Sequence, residues 1–149
     1  MSNALLIEGG CHCRAIRYEL HWPNPGEPAR IPARRCGCSY CTRIDGVWTS
    51  HPEASLTILL ESGLSPKPYR FATGTADFLV CMRCGITPLV TCEIEGRLYA
   101  VVNVNTFDDS DEPAFALDVS DTDFEGENLE ARLSRRQARW ISRVERVSR

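Results

Sequence analysis

No apolar run in this chain of 149 residues approaches the roughly 20 that a membrane-spanning helix requires. A helical membrane protein is thereby excluded. Met1 to Gly10 also lacks a basic segment followed by an apolar stretch, so the sequence predicts a soluble, cytoplasmic protein. Disorder is excluded as well. With 43% hydrophobic residues, 25% charged residues and a formal net charge of −3, the chain is far from the low hydrophobicity and charge excess that keep a polypeptide unfolded. Its length suits one domain with one core, read here as residues 1–149. No repeat is visible beyond the pairing of cysteines. Those cysteines, eight of them, are what the chain has in excess, and in a reducing compartment such a number points to metal rather than disulfides.

Between the cysteines the pattern is that of strands. Arg14 to Leu20 alternates, with Ile16, Tyr18 and Leu20 on one face and Ala15, Arg17 and Glu19 on the other. From Trp22 to Pro32, four prolines and Gly26 predict an irregular loop, long enough to cover a site. Strand-like runs recur at Leu56 to Leu60, Tyr69 to Ala72, Asp77 to Val80, Leu89 to Ile94 and Arg97 to Val104. Glu95-Gly96 reads as a tight hairpin turn, followed by an apolar face of Leu98, Ala100, Val102 and Val104. The fold class predicted is mainly antiparallel β.

Charge divides the remaining third. Asp108 to Glu130 holds ten acidic residues and no basic one, whereas Arg132 to Arg149 holds seven arginines against Glu145. Leu129, Leu133, Trp140, Val144 and Val147 follow a three-to-four spacing, which predicts a C-terminal amphipathic helix, with Ser134 and Gln137 able to cap a second start inside it. The arginines read as a solvated helix face partly neutralised by the acidic stretch, the other reading being a surface for nucleic acid or membrane. The net negative charge speaks against a polyanionic partner.

Seven of the cysteines fall into three groups: Cys11 and Cys13; Cys36, Cys38 and Cys41; Cys81 and Cys84. Cys92 stands apart in an apolar run. Thiols separated by one or two residues can reach one tetrahedral ion with sulfur at about 2.3 Å, and zinc suits such ligands. A disulfide framework fits poorly, because cysteines one residue apart in an extended chain point to opposite sides. A redox dithiol at Cys81 and Cys84 would need a helix after it, where Gly85 to Glu93 reads as turn and strand. The simplest arrangement joins the two pairs, Cys11, Cys13, Cys81 and Cys84, into a closed structural site, and leaves Cys36, Cys38 and Cys41 with an open fourth position for chemistry. Cys92 could close that second site, although a buried free thiol is the commoner state in such a run. His12 and His51 read as structural. Trp48 either walls the pocket or packs, and no general base stands at a convincing spacing.

Gly9-Gly10-Cys11-His12-Cys13 leading into a strand, the triplet at Cys36, and Cys81-Met82-Arg83-Cys84-Gly85 resemble the glutathione-dependent formaldehyde-activating enzymes, whose domain the centromere protein V family shares. Asn103 and the arginine-rich tail around Trp140 extend the resemblance over about the whole chain. It implies a zinc-stabilised β-tent fold of antiparallel strands with a C-terminal helix, related to a Rab guanine-nucleotide exchange factor. It also implies two zinc ions per chain, structural at Cys11, Cys13, Cys81 and Cys84 and catalytic at Cys36, Cys38 and Cys41. The implied activity is that of a carbon–sulfur lyase, joining glutathione or a similar small thiol to formaldehyde or another small aldehyde. Thr42 and then Arg43 follow the triplet, where the family commonly has a basic residue first; Arg43 reads as an exposed loop arginine, the other reading being a receiver for a substrate carboxylate. The competing expectation is a zinc-stabilised binding module that contacts protein or nucleic acid without catalysis.

Overall fold

The computed structural model describes residues 4–63, 65–108, 114–124 and 126–148. Its described strands form two sheets. In the smaller, β1 (Leu5–Gly10) and β2 (Ile16–Trp22) form an antiparallel hairpin, β5 (Ser55–Leu60) runs antiparallel to β2, and β11 (Arg143–Ser148) runs parallel to β5 at the edge. The larger has the order β10 (Ala116–Thr122), β3 (Arg30–Cys36), β4 (Val47–Thr49), β9 (Arg97–Asn103), β8 (Leu89–Ile94), β7 (Asp77–Val80), β6 (Lys67–Tyr69). All its pairs are antiparallel except β10 with β3. Two helices, α1 (Ser39–Ile44) and α2 (Leu129–Arg139), and a 3-10 turn at Val104–Thr106 complete the described elements.

Alternation decides the layers. On β2, Ile16, Tyr18, Leu20 and Trp22 are buried, as their period of two requires, and they meet Leu56 and Ile58 of β5. Facing them across one core lie Ile31, Leu79, Leu89, Ala100 and Val102 of the large sheet. The central strands β8 and β9 are apolar on their other face too, where Val90, Cys92, Ile94, Tyr99 and Val101 pack with Trp48 and Trp140 into a second cluster. A sheet with two apolar faces needs two covers. The small sheet covers one; α1, α2 and a group of aromatic rings cover the other. The Glu95-Gly96 turn between β8 and β9 has both residues at positive φ, 52° and 78°, as a two-residue hairpin with the right twist demands.

Three expectations need correction. The irregular segment is Pro23 to Ala29 rather than Trp22 to Pro32: Trp22 ends β2 in the core, and β3 begins at Arg30. Pro32 sits inside β3, where its carbonyl accepts a 2.7 Å hydrogen bond from the Thr49 hydroxyl. The run expected at Tyr69 to Ala72 is a short strand shifted back to Lys67–Tyr69. The tail is not one helix. Asn128 caps α2 by accepting from the Ala131 N–H at 2.8 Å, and the helix passes Ser134 and Gln137 without interruption and stops at Arg139. Val144 and Val147 then lie on β11 opposite Leu56 and Leu59, because the open edge of β5 offers a ladder that helical spacing cannot compete with.

The acidic stretch also has a tertiary role. Asp118 and Asp121 of β10 pair with Arg30 and Arg35 of the parallel strand β3, and Asp108 binds Arg14. These pairs are largely exposed, so they fix register more than they add stability.

Ile141 is fully buried between α2 and β11, and its backbone exchanges two 3.0 Å hydrogen bonds with Ala100. Ile141→Ala should therefore lower the unfolding free energy by about 2–5 kcal/mol, read from urea denaturation. An unchanged midpoint would show that the tail does not close the core.

Candidate metal centres and the cavity beside the cysteine triplet

The four thiols of Cys11, Cys13, Cys81 and Cys84 come together with all Sγ atoms within 4.8 Å of one another. Cys11 and Cys13 lie on the turn between β1 and β2 of the small sheet; Cys81 and Cys84 lie on the turn between β7 and β8 of the large one. The cluster thus ties the two sheets together at one end. Each turn is shaped by hydrogen bonds, from Cys11 N–H to Ile16 O at 2.9 Å and from Gly85 N–H to Cys81 O at 2.9 Å. Gly85 has φ of 80°, a conformation that a side chain would strain.

Sulfur spacing tests whether a metal fits. Four ligands at about 2.3 Å on a tetrahedron lie about 3.8 Å apart. Cys11 Sγ to Cys13 Sγ is 3.8 Å and Cys13 Sγ to Cys81 Sγ is 3.5 Å. All eight cysteines are free thiols, so neither a disulfide nor an oxidised Cys81–Cys84 pair is present.

Cys36, Cys38 and Cys41 form a second group within the same 4.8 Å limit. Cys36 ends β3, and the Gly37 N–H that follows donates to Thr122 O at 2.8 Å, which fixes the exit of the strand. Cys38 is the N-cap of α1 and its sulfur accepts from the Cys41 N–H at 3.4 Å, so the short helix turns Cys41 back toward its own start.

Charge shows what these groups lack. In the triplet, the hydrogen bond from the Cys41 thiol, helped by the backbone and thiol of Cys38 and opposed by burial, brings Cys36 down to about 6. The same bond, with burial, pushes Cys41 well above the ordinary thiol range. In the quartet, burial pushes Cys11 up to about 12, while Cys84, despite burial, is brought down to about 6 by the N–H groups of Ile86 and Cys13 and the thiols of Cys81 and Cys11. Crowded thiols cannot ionise together unless a cation offsets them. Both groups could hold a metal ion.

The triplet opens on a cavity of about 260 Å³ between the second face of the large sheet and α2. Trp48, Phe71, Phe78, Val90, Val101 and Trp140 supply apolar wall, and Arg34, Arg132, Arg135 and Arg136 supply charge. Outside it, Tyr40 stacks on Tyr69 and Phe71 and meets the edge of Phe78, while its hydroxyl bonds to Thr87 at 2.9 Å. Asn103 supports that wall from behind, donating to Thr87 O at 3.2 Å. Burial lowers the proton affinity of Arg34 and Arg136, and neighbouring guanidinium groups act in the same direction.

The arginines of the tail are thus not simply a solvated face. Arg136 is only 6% exposed, with Nη1 bound to Thr75 Oγ1 at 3.0 Å and Cys92 Sγ at 3.4 Å. Periodicity alone had hidden this, although Arg132 and Arg136 stand one helical turn apart on the side of Leu133 and Trp140. Cys92 is buried beneath Arg136 and is not part of the triplet. Arg43 is exposed, donates to Ser39 O at 2.9 Å and is not among the residues that line the cavity, and the Pro23 to Ala29 loop contributes nothing to the lining. His12 is exposed, and His51 packs against Trp22 and caps the Glu53 N–H, so neither reaches the triplet. Trp48 both packs and walls the cavity.

Residues 6–120 match the family described as glutathione-dependent formaldehyde-activating enzyme. A Halomonas elongata protein provisionally named as such an enzyme is 40% identical over 42 residues, which are 28% of this chain and 24% of that protein. The chain therefore aligns with about a quarter of that relative's length. A crystal structure of a Rhodobacter sphaeroides protein is similar at 24% identity with a TM-score of 0.48, over 74% of this chain and 99% of that one. Among the described residues, no helix is long and apolar enough to cross a membrane. With three cysteine groups gathered into two thiol clusters and a family match covering most of its length, this chain belongs to the glutathione-dependent formaldehyde-activating enzyme family.

Proposed function

We propose that the protein adds a small thiol such as glutathione to formaldehyde or another small aldehyde, as a zinc-dependent carbon–sulfur lyase. The observation that carries this reading is the position of the three-thiol group: it opens on a charged cavity, whereas the four-thiol group joins two sheets. In this reading Cys11, Cys13, Cys81 and Cys84 hold a structural zinc, and Cys36, Cys38 and Cys41 hold a catalytic one. Bound there, zinc would supply a thiol-to-thiolate shift near neutral pH and polarisation of an aldehyde oxygen.

The chain's own residues then have separate tasks. Cys36, Cys38 and Cys41 fix where the substrate sulfur sits, and the apolar wall of Trp48, Phe78 and Val101 excludes water from it. As the sulfur lone pair forms the new bond to the carbonyl carbon, the carbonyl pair moves onto oxygen and takes a proton. Among the described residues, no histidine or carboxylate lines the cavity, and solvent or the thiol itself can supply that proton. Cys36, Cys38 and Cys41 together provide three anionic sulfurs, which favours thiol binding over water activation.

Formation of the hydroxymethyl thioether from glutathione and formaldehyde, followed by proton NMR exchange spectroscopy, should be faster with the protein than without it. Cys38→Ser should return the rate to the uncatalysed value. Unaltered exchange with the zinc-loaded wild-type protein would remove the activity and favour the binding-module reading.

Metal analysis of protein purified without chelator should give two zinc ions per chain. Cys81→Ser should lose one of them and melt at a markedly lower temperature, because a closed site contributes folding energy; Cys38→Ser should melt close to the wild-type value. Equal losses of melting temperature would make both sites structural.

A further inference from the structure

The walls of the cavity hold a group of unpaired donors. Among the described residues, the buried side-chain polar atoms without a hydrogen-bond partner are Trp48 Nε1, Thr122 Oγ1, Arg132 Nε, Arg136 Nε and Trp140 Nε1. Every one of these residues lines this cavity. Four of the five atoms are N–H groups that can only donate, and a buried donor left unpaired loses its hydration without a replacement. Concentrating them in one place is unfavourable for an empty structural core and suits an acceptor-rich ligand.

Charge points the same way. Glu127 binds Arg135 at 3.0 Å but comes no closer than 3.8 Å to Arg132 Nε. The charged and ionisable groups acting on Arg136 are Arg132 and Arg135, which oppose its charge, and the Cys92 thiol and the Glu127 carboxylate, which favour it. Arg136 is held rigidly, with its guanidinium 5.0 Å from the Trp140 ring and its Nη1 engaged by Thr75 and Cys92, which leaves Nε as the unpaired donor. This is a preorganised cation, since its position is fixed by contacts other than the ligand.

We infer that Arg132 and Arg136 of α2, with the Trp140 indole, form an oxyanion subsite that binds a carboxylate of the thiol substrate, so that the enzyme selects acidic thiols over neutral ones. The inference rests on the thiol-addition reading for the identity of the ligand, while the subsite itself rests on the donors and charges of the cavity. The apolar wall beside it would carry the body of the ligand between the carboxylate and the sulfur at Cys36, Cys38 and Cys41.

Two measurements on the zinc- or cobalt-loaded full chain separate the two ideas. S-methylglutathione keeps both carboxylates but has no free thiol, and its binding is read from the fluorescence of Trp48 and Trp140. β-Mercaptoethanol is a neutral thiol, and its binding, like that of glutathione, is read from the visible spectrum of the cobalt protein. Arg136→Gln and Arg132→Gln should each weaken S-methylglutathione by about tenfold or more, the loss expected for one charge-assisted hydrogen bond. The same variants should bind β-mercaptoethanol as the wild type does, which also verifies that they are folded, and Arg43→Gln should change neither ligand. The wild type should prefer glutathione to β-mercaptoethanol, and the arginine variants should lose that preference. S-methylglutathione that binds wild type and both variants alike, or fails to bind wild type, would overturn the subsite. If S-methylglutathione requires Arg136 while no thiol alters the cobalt spectrum, the subsite stands and the thiol-addition reading falls.

Discussion

The structure depends on the large sheet being apolar on both faces. Ala100 and Val102 of β9 point into one core while Tyr99 and Val101 of the same strand point into another, and β8 divides Leu89 from Val90 and Cys92 in the same way. Burying both faces stabilises the sheet through the removal of apolar area from water, but it requires a second cover. The small sheet provides a continuous cover on one side. On the other, a six-residue helix, an eleven-residue helix and a set of aromatic rings are too little to fill the space, and the cavity is what remains.

Electrostatics then gives that space its character. The Cys36, Cys38 and Cys41 sulfurs crowd together, the bond between Cys36 and Cys41 lowering the first thiol and raising the second, while Arg34 and α2 bring guanidinium groups into the same region. Among the described residues, Glu127 offsets part of the guanidinium charge, bonding Arg135 at 3.0 Å and lying 3.8 Å from Arg132 Nε. A cation among the sulfurs would offset their charge, and an anion among the arginines would meet the donors left unpaired there. The four-thiol group presents the opposite situation. Its sulfurs are enclosed by two tight turns, one from each sheet, and it does not line the cavity.

The covers are joined by a tail with two conformations. α2 places Arg132, Arg135 and Arg136 along the cavity, Ile141 then pairs with Ala100, and β11 closes the small sheet against β5. One segment therefore couples the wall of the candidate site to the main core. Arg136 illustrates the cost of that arrangement, because its burial is compensated by the Thr75 hydroxyl, the Cys92 sulfur and the Trp140 ring rather than by a carboxylate.

Much of this was determined by the sequence itself. Alternation in Ile16, Tyr18 and Leu20 requires a strand because the side-chain period of a strand is two, β8 and β9 are short apolar runs bounded by turn residues, and the Glu95-Gly96 turn follows from the conformations that glycine and its neighbour can adopt. Cysteine spacing likewise grouped Cys36, Cys38 and Cys41 locally, since three thiols within six residues can converge through one strand end and one helical turn. Other features were decided only by tertiary structure. Val144 and Val147 have helical spacing but become a strand, because an unpaired edge at β5 outweighs a local preference of a few tenths of a kcal/mol per residue. Pro32 lies in a strand because its neighbours pair on both sides of it. The role of the tail arginines was invisible for the same reason: a guanidinium on a helix reads as solvated until the distant Thr75, Cys92 and the cavity wall are folded against it. Periodicity reports which face of an element is apolar, whereas only the packing of separate elements decides which charges are removed from water and left to find a partner.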